Sequence, residues 1–125
     1  MAVETKARLH NWESMPREEL NANIGRKMIT GERVMIAHIY LKKGSVVPKH
    51  EHHNEQITYI LSGALRFRLG ANGEQDVTVR AGEVLTIPPN LPHTAEALED
   101  TVDVDIFDPP RQDWLDGTDA YLRRG

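Results

Sequence analysis

The 125-residue chain contains no cysteine. Disulfide scaffolds, thiolate zinc sites, iron–sulfur clusters and thiol nucleophiles are excluded together, and the absence fits a reducing compartment. A basic surplus is also missing. Lys plus Arg is 15 and Asp plus Glu is 19, a net charge of −4, which argues against a dedicated nucleic-acid binder. Long apolar runs are absent: the longest, Val34 to Leu41, is broken by His38 and is too short to span a bilayer. Met1 to Glu13 mixes charges and has no apolar centre, so it does not read as a signal peptide. These absences predict a cytoplasmic protein with neither nucleic-acid nor membrane partners. What remains is 39% apolar and 27% charged, a globular composition at a length that suits one domain with one core.

From Arg26 onward the chain breaks into short β-rich runs divided by Gly and Pro. Arg33–Leu41, Gln56–Leu61, Ala64–Leu69, Val77–Arg80, Val84–Ile87 and Val102–Phe107 read as strands. Gly70-Ala71-Asn72-Gly73 reads as a hairpin loop. Ser14 and Pro16 can open one helical turn, and Arg111–Leu115 another. Many short strands without long helical patterns predict an all-β sandwich or small barrel. Residues 1–25 form an N-terminal arm in this reading, 26–108 the barrel and 109–125 a polar C-terminal tail.

Three of the six histidines lie between His50 and His53. On an extended segment His50, His52 and Gln56 share one parity, and two imidazoles with an amide oxygen suit a divalent transition cation. His93 follows the stiff segment Pro88-Pro89-Asn90-Leu91-Pro92 and supplies a third imidazole. Clustering of surface histidines beside acids is the plain alternative; the in-phase Gln56 and His93 weigh against it. His10 and His38 are read as structural. Glu55 replaces Gln56 as a ligand if the strand is bulged.

Gly44, five residues, His50, one residue, His52, three residues, Gln56, six residues and Gly63 resemble the first cupin motif. Gly82, five residues, Pro88, Asn90 and His93 resemble the second. The resemblance implies a double-stranded β-helix, a jelly-roll barrel, with a metal in its mouth. Gln56 stands where the family usually has Glu. Three neutral imidazoles and an amide leave the full charge on the metal (Ni, Zn, Mn, Fe or Co) and make it a stronger Lewis acid.

Asp103, Asp105 and Phe107 share one face of the last strand, and Val102, Val104 and Ile106 the other. The acids either meet solvent or line a barrel lumen. Residues 55–63, Ile87 to His93 and the ending Asp105-Ile106-Phe107-Asp108-Pro109-Pro110-Arg111 resemble the pectin-degradation cupins, which ketonise 4,5-unsaturated uronate monosaccharides. That resemblance implies a metal held by His50, His52, Gln56 and His93. It implies Asp105 as acid/base, Arg111 as a bidentate partner of an anionic sugar's carboxylate, and Phe107 packed on the ring; Asp103 is left out. Two other readings stand beside it, an oxygenase-type cupin and a non-catalytic sugar-acid binder. Small cupins often pair, so a homodimer is expected.

Overall fold

The computed structural model describes residues 6–123. Alternation of inward apolar and outward polar side chains turns the short runs into ten strands: β1 (Glu18–Glu19), β2 (Ile24–Thr30), β3 (Met35–Leu41), β4 (Val46–His50), β5 (Glu55–Ser62), β6 (Ala64–Leu69), β7 (Gln75–Arg80), β8 (Val84–Ile87), β9 (His93–Ala97) and β10 (Thr101–Asp108). Two short helices follow, α1 (Gln112–Asp116) and α2 (Ala120–Arg123). The strands form two antiparallel sheets, ordered β1-β2-β3-β10-β5-β8 and β4-β9-β6-β7. Their inner faces enclose one cluster that includes Met35, Ile39, Ile60, Leu65, Phe67 and Ile87. The fold is an all-β jelly roll, as the resemblance implied.

Turn chemistry sets where the chain reverses. Gly63, between β5 and β6, has φ +89°, and a Cβ there would sit 2.4 Å from the Asp100 carbonyl oxygen. Neither the conformation nor the space admits a side chain. Asn90 has φ +64°, a left-handed conformation that Asn tolerates better than bulkier residues. Its N–H donates to the His52 carbonyl at 2.7 Å, joining the two histidine-bearing loops.

The boundaries differ from the sequence reading at both ends. The expected arm includes residues 1–5, which lie outside the described residues, and its last part is strand: β1 and the start of β2 join the larger sheet. The expected helical turn at Ser14–Pro16 is a tight turn in which the Met15 N–H donates to the Trp12 carbonyl. The expected polar tail folds back as α1 and α2 and buries Trp114, Asp119 and Leu122; its last two residues lie outside the described residues. Four strands, β1, β2, β4 and β9, were not anticipated as separate elements. β4 carries Pro48 and Lys49, and β9 reads His-Thr-Ala-Glu-Ala, so neither has the apolar alternation of a half-buried strand.

Candidate metal centre and its cavity

Strand register assembles the site. β4 and β9 pair so that His50 lies opposite His93. β10 lies between β3 and β5, and its inward residues meet β5 in order: Phe107 opposite Gln56, Asp105 opposite Thr58, Asp103 opposite Ile60. His52 lies in the loop between β4 and β5, so the shared parity of His50, His52 and Gln56 does not run along one strand. Buried Asn54 holds this loop by donating from Nδ2 to the Pro109 and Pro110 carbonyls, at 2.6 and 3.2 Å. Gln56 is buried and Glu55 exposed, so no bulge turns Glu55 inward.

The three imidazoles are oriented alike. Each Nδ1 donates to a nearby backbone carbonyl: His50 to Pro48 at 2.8 Å, His52 to Asn54 at 3.0 Å, His93 to Leu91 at 2.8 Å. The lone pairs are thereby left on Nε2. Each of the three residues offers a ligand atom, all within 4.8 Å of one another. His93 Nε2 is buried with no hydrogen-bond partner. Burial, the largest cause, and the neighbouring positive groups push His50 down to about 3 and His52 down to about 4; burial also lowers His93. At neutral pH all three are uncharged and free to accept.

A polar chain leads inward from the imidazoles. Gln56 Nε2 donates to Thr58 Oγ1 at 2.9 Å, and Thr58 Oγ1 donates to Asp105 Oδ1 at 2.8 Å. This fixes the amide with Oε1 toward His52, 3.1 Å from its Nε2. Two lone-pair atoms then face each other, an arrangement that a cation relieves. Together with the orphaned His93 nitrogen, it makes the donor set of three imidazoles and an amide oxygen fit for a divalent transition metal.

Asp105 and Asp103 line the same cavity as His50, His93 and Gln56. Both acids are buried, with Asp103 beside Asp105. Burial raises both above the ordinary aspartate value, Asp103 well above it, and the charge of Asp105 raises Asp103 further. The acidic face of β10 therefore looks inward, and Asp103, left out of the site by sequence reasoning, belongs to its wall. The cavity has a volume of about 50 Å³, room for a few waters.

Arg111 is buried, its guanidinium 5.0 Å from the Phe107 ring and 4.7 Å from that of Trp114. Its Nε–Nη2 edge donates to both oxygens of Asp113, at 3.0 and 2.9 Å. The edge expected to hold a substrate carboxylate is thus engaged by a neighbour. Tyr121, which no sequence signal marked, completes the wall. Its ring stacks on His50 at 4.6 Å, and burial keeps its phenol protonated by raising it above its usual value.

Comparison with known proteins follows this geometry. The Cupin domain family matches residues 37–108. Over 124 residues, 96% of this chain, the sequence is 23% identical to 3-hydroxyanthranilate 3,4-dioxygenase of Mus musculus, of whose length it spans 42%. The structure of KdgF from Halomonas sp. superposes with a TM-score of 0.80 at 24% identity, covering 87% of this chain and 99% of that one. An RmlC-like cupin from Shewanella frigidimarina gives 0.79 at 22% identity, covering 87% and 96%. Oxalate decarboxylase of Bacillus subtilis gives 0.68 at 19% identity, covering 83% and 31%. Likenesses at this level of identity bear on the fold.

Proposed function

The chain belongs to the cupin family, and from that premise we propose that it is a metal-dependent isomerase of 4,5-unsaturated uronate monosaccharides. The observation that carries the reading is the pairing of two features in one place: neutral ligands from His50, His52, His93 and Gln56, and a buried Asp105 linked to Gln56 through Thr58. The resemblance of the Asp105–Arg111 ending to the pectin-degradation cupins supplies the substrate class.

The reaction is an isomerisation. The anomeric hydroxyl loses its proton, the bond from the ring oxygen to the anomeric carbon breaks, and an aldehyde forms. The ring oxygen stays on carbon 5 as an enolate, which becomes a ketone when carbon 4 gains the proton that the anomeric hydroxyl lost. A divalent metal, when bound, would supply Lewis acidity toward an anionic oxygen. His50, His52, His93 and Gln56 would hold that ion. Asp105, whose proton affinity burial raises, takes the proton of the anomeric hydroxyl and delivers it to carbon 4. Phe107 gives the ring an apolar surface and keeps water from the enolate. Arg111, neutralised on one edge by Asp113, adds a positive field at the carboxylate end.

Metal-loaded protein is expected to remove the enol-ether absorbance of freshly prepared unsaturated galacturonate faster than spontaneous opening does. Asp105→Asn should lower that rate by about a hundredfold. A rate equal to spontaneous opening overturns the reading. The second reading is an oxygenase-type cupin, favoured by the likeness to 3-hydroxyanthranilate 3,4-dioxygenase over almost the whole of this chain; it predicts oxygen uptake by the iron-loaded protein with an organic substrate.

A further inference from the structure

α2 is short, yet it is firmly held. Asp119, immediately before it, is fully buried and accepts from Arg26 Nη1 at 2.7 Å and from Arg123 Nε at 2.9 Å. Arg123 also donates to Glu18 at 2.8 Å. These contacts fix Tyr121 with its ring on His50 and its hydroxyl beside Arg111. The phenolic oxygen accepts from Arg111 Nη2 at 2.5 Å and from Trp114 Nε1 at 3.3 Å. A phenolic oxygen has two acceptor positions, and both are taken. Its own O–H has no acceptor among the described residues. Tyr121 lines the same cavity as His50, His93 and Asp105, so an acceptor for that proton is available in a molecule bound there.

We propose that Tyr121 is a substrate-binding residue whose hydroxyl donates a hydrogen bond to a carboxylate oxygen of the ligand held at the His50–His52–His93 centre. The inference rests on the metal-site reading and, for the identity of the natural carboxylate, on the uronate reading. It also explains the engaged edge of Arg111. The cation is locked against Asp113 and aimed at the phenol, so it polarises the donor from behind while the phenol makes the contact. The contact selects for an oxygen that accepts at a short distance from the metal, as a carboxylate or an α-hydroxy acid provides.

The test uses the full-length protein loaded with Co²⁺ and acetate as the probe, with binding followed by the visible absorption of the metal. Tyr121→Phe keeps the ring on His50 and removes only the hydroxyl. The expected result is about tenfold weaker acetate binding at unchanged metal content, with imidazole, a neutral ligand that offers no acceptor once bound, unaffected. Unchanged acetate affinity overturns the proposal, and so does an equal loss for acetate and imidazole, which would mean that the variant disturbs His50. An Arg111→Met background separates direct from indirect action: the Tyr121→Phe loss persists if the phenol itself makes the contact, and its disappearance overturns that role. Because acetate is not turned over, acetate binding with no uronate turnover would remove the substrate assignment and leave Tyr121 in place.

Discussion

The hydrogen bonds of Thr58 go to Gln56 and Asp105, not to an imidazole, yet Thr58 decides which end of the Gln56 amide faces the metal centre. Its oxygen accepts from Gln56 and its proton goes to Asp105. Thr58→Val removes both bonds at nearly constant volume and frees the amide to flip. The expected outcome is about tenfold weaker metal binding, measured by competition with a chromogenic chelator, with Thr58→Ser restoring it. Gln56→Ala should weaken the metal by at least as much, while Glu55→Ala leaves it unchanged; the opposite order would identify Glu55 as the ligand. At this scale the sequence was informative where a side chain carries its own chemistry. His50, His52, His93 and Gln56 are legible because ligands have a distinctive composition and spacing. Thr58 is not, because a threonine in a strand is ordinary and only the register with Asp105 gives it a role. Asp103 has the parity of Asp105 and was legible in principle.

Among the elements, β10 was the most legible, since its alternation of Val102, Val104 and Ile106 with Asp103 and Asp105 has period two. What alternation cannot supply is which face looks inward. That follows from the placement of β10 between β3 and β5 under the second sheet, where Asp105 lies between Ala37 and Thr58. The C-terminal helices were the least legible. α2 has four residues, too few to hold itself together, and it is ordered by ion pairs to β1 and β2 that lie about a hundred residues away in sequence. The Arg26–Asp119 pair is fully buried, and the Arg26 guanidinium lies 4.5 Å from the Trp114 ring. Removing one partner of such a pair leaves an uncompensated charge. Asp119→Asn is expected to cost about 3 kcal/mol in denaturant titration and to release α2.

The same network sets an acid limit for the whole molecule. Burial alone would raise Glu18 and Asp119, but hydrogen bonds from Arg123 and Arg26 more than offset it and hold both below their ordinary values of 4.5 and 3.8. Groups with depressed folded-state values contribute stability that is full above the ordinary range and is lost as pH falls through the folded values. Thermal unfolding followed from pH 6 to pH 2 should show a fall beginning near pH 4.5, and Asp119→Asn should make that fall shallower. On the outer face of the larger sheet, Ile57, Tyr59, Leu61 and Val84 are each more than a third exposed. This apolar patch supports the proposed homodimer, which sedimentation tests: Tyr59→Lys is expected to convert dimer to monomer.

The two indoles divide the molecule optically. Trp12 stacks on His38 at 3.8 Å on the outer surface of the larger sheet. Trp114 lies against Phe107 at 4.9 Å, and Phe107 in turn lies 5.7 Å from His52. A paramagnetic ion filling the histidine centre therefore has one fluorophore two rings away and the other on a separate wall. In Trp12→Phe protein, the indole emission that remains belongs to Trp114, so its quenching follows metal occupancy in a single cuvette, without any added dye.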